Sequence, residues 1–187
     1  MIVYLHGFNS SPQSHKAQLL GRYLTERGLG AQYACPALPP LASQAIGETE
    51  RLIRKRANVC FVGSSLGGFY ATYLAEKHGA RAVLINPAID PHVGLRAYLG
   101  RQQNLHTGEP YELTEAHLRE WERLYVRRIS PEHYLLFVET GDEVLDYRKT
   151  VERYAGAEQV VVQGGDHSLA SFPAHLPRIV EFCGLRG

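Results

Sequence analysis

The stretch Gly63-Ser64-Ser65-Leu66-Gly67-Gly68 constrains this chain more than any other, because it joins a β-branched apolar run at 59–62 directly to a helix-like pattern that starts at Leu66. A strand can pass into a helix over so few residues only if the positions two before and two after the apex carry no bulk. An apex at Ser65 puts Gly63 and Gly67 there, whereas an apex at Ser64 would put Val62 and Leu66 there. Ser65 is therefore the expected apex, with its hydroxyl held above the carboxyl edge of a sheet, as in the G-x-S-x-G elbow of a nucleophilic serine.

Other short apolar runs have the same strand character. They lie at 2–5, 32–35, 82–85, 135–138 and 160–162, and helix-like segments separate them at 14–27, 42–56, 66–78, 146–154 and 174–182. Alternation of this kind predicts βαβ units and a mostly parallel sheet of six strands flanked by helices. The rhythm breaks after the fourth strand. Residues from about 88 to 130 carry Gly94, Gly100, Gly108 and Pro110 and then a charged, helical segment at 114–128, so they are expected to form a cap or lid insertion over the carboxyl edge. The 187 residues are read as one domain, 1–187, with no internal repeat and no linker that would split it.

A serine hydroxyl needs a base, and nine histidines are available. His167 is the expected one. It follows the last strand in Gly164-Gly165-Asp166-His167-Ser168 and completes the chain order Ser, Asp, His that serine hydrolases of parallel α/β type use. His6, at the end of the first strand and followed by Gly7, is its main rival and fits a substrate-facing loop better. The acid that orients the imidazole should follow the strand at 135–138. Glu139, Asp142, Glu143 and Asp146 compete there; Asp142, one residue past a turn glycine, leads, and Asp146 reads first as the cap of the next helix.

An oxyanion needs two preorganised N–H donors. One is expected from Leu66, at a helix N-terminus. The other is expected from Phe8, in the loop Leu5-His6-Gly7-Phe8-Asn9-Ser10 after the first strand. The insertion supplies candidate walls for a substrate pocket: Tyr98, Leu99, Trp121 and Tyr125, with Leu95 and Leu124, and His6 from the first loop.

These segments resemble the YqiA-like family of small bacterial α/β-hydrolase esterases. The resemblance rests on Tyr4 to Pro12, Gly63 to Thr72, Leu84 to Ala88, Thr140 to Tyr147 and Gly164 to Ser168, and so runs over nearly the whole chain. It implies a minimal α/β-hydrolase fold, Ser65, Asp142 and His167 at the triad positions, and activity on short-chain acyl esters or acyl thioesters.

Composition narrows the partners. Lys+Arg at 20 against Asp+Glu at 19 gives a formal charge of +1, which provides no field for nucleic acid or an anionic membrane. A small acyl ester or thioester is the expected partner, and neither a metal nor a cofactor is expected, because no His, Cys or carboxylate cluster has ligand spacing. Cys35, Cys60 and Cys183 are far apart in sequence and read as free thiols of a cytoplasmic protein, and the start MIVYLHGF has no basic and apolar signal. Three function classes remain: a serine esterase, an acyl-CoA thioesterase with the same machinery, and a binding protein that has kept the fold without turnover.

Overall fold

The structure is a computed structural model that describes residues 1–185. In chain order, β1 (Ile2–Leu5), β2 (Tyr33–Ala34), β3 (Cys60–Ser64), β4 (Arg81–Ile85), β7 (Tyr134–Glu139) and β8 (Glu158–Val162) form one sheet in the order β2-β1-β3-β4-β7-β8, with every neighbouring pair parallel. The expected six-stranded sheet is present. Helices α1 (His15–Thr25), α2 (Ala42–Ile53), α3 (Leu66–His78), α6 (Tyr147–Arg153) and α7 (Phe172–Phe182) connect and flank the strands.

The strand sequences explain the two-sided packing. Successive side chains of a strand point to opposite faces. Val3, Leu5, Phe61, Leu84, Leu136 and Val138 join one core with α2 and α3, while Ile2, Tyr4, Val62, Val83, Ile85 and Phe137 join another with α1 and α7. Strands covered on both faces read as continuous apolar runs, which is how β1, β3 and β4 read in the sequence.

Between β4 and β7 the chain leaves the sheet. It forms a short helix α4 (Pro91–Gly94), a hairpin of β5 (Gly100–Gln103) and β6 (Pro110–Leu113), and helix α5 (Glu115–Arg123). The hairpin was not expected from sequence, and the helix is shorter than the 114–128 segment that suggested it. The hairpin is fastened to the loop after β1: Leu105 N–H donates to Asn9 O at 2.8 Å, Asn104 Nδ2 to Ser10 O at 2.7 Å, and Tyr111 O–H to Asn9 Oδ1 at 2.6 Å.

Cys35, Cys60 and Cys183 are free thiols, as expected, but two of them meet. Cys60, at the start of β3, and Cys183, at the end of α7, are 123 positions apart in sequence, yet their Sγ atoms lie 2.7 Å apart. Spacing along the chain says nothing about which elements the fold stacks. No helix among the described residues is long and apolar enough to cross a membrane.

The chain runs from β1 outward to β2 and then returns to β3 on the other side of β1. Strand order therefore reverses between β1 and β3, and a crevice opens at their carboxyl ends.

Candidate functional site

Ser65 stands at that crevice between β3 and α3 with φ 54° and ψ −120°, a conformation that costs a non-glycine residue of order 1–3 kcal/mol and is held by its surroundings. Its N–H donates to Ile85 O at 3.0 Å, and its carbonyl accepts from Gly68 at 2.9 Å and Ala88 at 3.0 Å. The elbow is crowded by backbone. A Cβ on Gly67 would overlap the carbonyl oxygen of Leu5, and one on Gly63 would overlap that of Gly67. The two glycines singled out in the sequence are those that the close approach requires.

His167 reaches the serine from the loop after β8, with Nε2 3.0 Å from Ser65 Oγ and Nδ1 2.8 and 3.0 Å from the two Asp142 oxygens. A carboxylate only accepts, so Nδ1 carries the proton and Nε2 is free to accept from the serine. The Asp142 side chain is 2% exposed. Burial pushes its carboxyl up, but hydrogen bonds from His167 and from the N–H groups of Leu145 and Val144 outweigh that and hold it below the ordinary carboxylate value. Asp146 lies away from the imidazole: it caps α6 through Arg148 N–H and pairs with the Arg148 guanidinium at 2.9 Å. Glu143 accepts the His167 N–H at 3.0 Å.

Leu66 opens α3, where helical geometry leaves its N–H without an internal carbonyl. Among the described residues neither the Leu66 nor the Phe8 N–H has an acceptor. Gly7 lies against the serine, and a Cβ there would sit in ordinary contact with Ser65 Cβ at 3.4 Å.

A cleft of about 660 Å³ contains Ser65 and His167 and is walled by Phe8, Leu66, Leu95, Tyr98 and Leu145. Tyr98 meets Phe8 edge-on with ring centroids 6.1 Å apart. Leu105, 82% exposed at the tip of the hairpin, and Val144 also stand on its rim, and sequence reasoning missed both. A hairpin signal was present in Gly100, Gly108 and Pro110, but nothing in those residues says where its tip docks.

Five of the expected pocket residues are not among those that line the cleft with Ser65. Trp121 is 1% exposed and donates its indole N–H to Tyr70 O–H at 2.7 Å, because an indole buried by α5 needs an acceptor. It lines a separate cleft of about 500 Å³ on the other side of the first loop. His6 lines that second cleft too, and both its nitrogens are used: Nε2 accepts from Leu38 N–H at 3.0 Å and Nδ1 lies 3.1 Å from Gly7 O. Burial lowers its pKa. Tyr125 and Leu124 line a small hollow with Arg153 and Tyr154 that does not include the serine, and Leu99 lines neither cleft.

A model of the uncharacterised protein family UPF0227 matches residues 1–184, and this family is related to the YqiA-like esterases. The chain is 26% identical over 188 residues to a UPF0227 protein of Serratia proteamaculans, covering 97% of this chain and 98% of that protein. Among solved structures it resembles mouse alpha/beta hydrolase domain-containing protein 10, with a TM-score of 0.74, 15% identity, and coverage of 98% of this chain and 89% of that one. It also resembles a monoacylglycerol lipase of Paleococcus ferrophilus, with a TM-score of 0.66, 17% identity, and coverage of 97% and 93%. The fold is that of the α/β hydrolases.

Proposed function

The chain belongs to the UPF0227 family, and from that membership and the contacts among Ser65, His167 and Asp142 we propose that it is a serine esterase that cleaves small acyl esters through an acyl-enzyme. The observation that carries the reading is the unbroken relay of hydrogen bonds from Ser65 Oγ through His167 to a buried carboxylate.

Each step follows from those positions. Ser65 Oγ attacks the ester carbonyl as its proton passes to His167 Nε2, and Asp142 stabilises the imidazolium that forms. The carbonyl oxygen gains negative charge within reach of the Leu66 and Phe8 N–H groups, at the positive end of the α3 dipole. One such donor is typically worth ~10²- to 10³-fold in rate. The imidazolium then protonates the alcohol as it leaves. Water enters, His167 takes one of its protons, and the acyl group departs as a carboxylic acid, restoring Ser65.

Stopped-flow mixing with p-nitrophenyl butyrate tests this. A burst of p-nitrophenol equal to the enzyme concentration, absent from Ser65→Ala, is expected. Binding of the ester without turnover would leave the fold a receptor.

A further inference from the structure

His167 reaches Ser65 only while the loop at 163–171 keeps one shape, and the groups that fasten this loop lie outside the triad. Glu139, the last residue of β7, is 1% exposed, and its carboxylate accepts three backbone N–H groups of the loop: Asp166 at 2.8 Å and Ala170 at 2.9 Å on Oε2, Ser171 at 2.8 Å on Oε1. Asn86, just past β4 and 2% exposed, holds the same loop by its carbonyls. Its Nδ2 donates to Asp166 O at 3.0 Å and His167 O at 3.1 Å. The two side chains are themselves joined, because Asn86 Oδ1 accepts the N–H of Glu139 at 3.1 Å.

The sheet does not need a carboxylate at this position. Glu139 sits in register with Val162 through its backbone, and an apolar side chain would fill the space without the desolvation cost of a buried charge. Asp166 and Ala170 are themselves exposed residues, although their N–H groups turn inward to the carboxylate. The loop is also shaped around the carboxylate: Gly165 has φ +70°, and a Cβ there would overlap Glu139 Oε2.

We propose that Glu139, coupled to Asn86, is a positioning residue that fixes His167 for proton transfer with Ser65. This rests on His167 being the base. Glu139 touches neither the serine nor the cleft; it acts by holding the backbone on both sides of the imidazole. A displacement of ~1 Å at such a distance costs on the order of 10²-fold in rate.

The test compares wild type, Ser65→Ala, Glu139→Gln, Gly165→Ala and the Glu139→Gln/Gly165→Ala double variant with p-nitrophenyl butyrate. It also follows the downfield proton signal of His167 Nδ1–H by NMR, with near-ultraviolet circular dichroism to establish folding. In Glu139→Gln an amide NH₂ faces backbone N–H groups where a carboxylate oxygen stood. Folded protein with kcat lowered about 10²-fold, KM changed by less than about threefold, and a broadened or lost Nδ1–H signal is expected. Gly165→Ala should do the same with the charge intact, and the double variant should be little worse than the poorer single one. Wild-type kcat and NMR signal in both single variants, beside an inactive Ser65→Ala, would overturn the positioning role and leave the esterase reading standing. Loss of turnover that recovers fully on cooling, with the NMR signal unchanged, would also overturn it, because it would mark a purely structural role. A fully active Ser65→Ala would remove the esterase reading itself and the proposal with it. If Glu139→Gln does not fold, Gly165→Ala decides alone.

Discussion

The Nε2 atom of His167 lies 3.0 Å from the hydroxyl oxygen of Ser65, across a sequence separation of 102 residues, while Ser64, the next-door hydroxyl, is 7% exposed at the end of β3. Ser65→Ala should therefore lower kcat on the order of 10³-fold or more, and Ser64→Ala should keep activity within about tenfold. Steady-state assays on the two purified variants give the comparison, and equal activities would contradict the elbow assignment.

Asp142 and Asp146 sit four positions apart and do different work. Asp142→Asn keeps the shape but lets an amide pair with the wrong imidazole tautomer, and a drop of ~10⁴-fold in kcat is expected. Asp146→Asn touches only the α6 cap and the Arg148 pair, so a small drop in the midpoint of a denaturant melt is expected, with kcat unchanged.

Covalent labelling gives an independent check. A fluorophosphonate should modify one serine, on the peptide that contains Ser65, and Asp142→Asn should slow that labelling in step with its loss of turnover. Modification of any other serine in the mass spectrum would place the nucleophile elsewhere.

Glu139 carries a pH signature. Burial pushes its carboxyl up, but the Ser171 hydroxyl and N–H and the N–H groups of Asp166 and Ala170 outweigh that and hold it below its ordinary 4.5. A group depressed in the folded state stabilises fully above its unfolded value, and that contribution is lost as pH falls through the folded value. The urea midpoint of wild type should fall as pH drops below about 4.5, and that of Glu139→Gln should fall less. Lys16 and His175 interact with this carboxylate, and Lys16 also with Asp166 and Asp142. They are present in both proteins, so the difference between the curves reports Glu139.

Trp121 is expected to matter for stability alone. Trp121→Phe leaves the buried Tyr70 hydroxyl without its donor, which should cost about 1–3 kcal/mol, while KM for a short ester stays as in wild type. A raised KM would return the indole to the substrate pocket.

The strands and the elbow were legible because their signals are local: β1 and α3 have the bounds that the apolar run at 2–5 and the pattern at 66–78 suggested. The meeting of His167 with Asp142 and Ser65 was legible through chain order and the place of the first two just after a strand. What escaped depends on contacts distant in sequence. Trp121 looked like a pocket wall because an aromatic in an insertion can face either way, and its hydrogen bond to Tyr70 spans 51 positions. Glu139 appeared as a rival acid at the end of a strand; that it grips the next loop requires knowing that β8 lies beside β7. The Cys60 and Cys183 contact and the docking of Leu105 are of the same kind.

The insertion leaves the sheet after Ile85 and returns at Tyr134, and both ends are set by β4 and β7, which pair directly through Ala82↔Tyr134 to Ile85↔Phe137. The sheet is thus closed without any help from what lies between. Each doubling of such a connection adds only about 0.6 kcal/mol of closure entropy. A descendant of this protein can therefore trade its hairpin and short helices for a longer, shorter or differently shaped cover, and so reshape the cleft, while the serine, the imidazole and the carboxylate stay where they are.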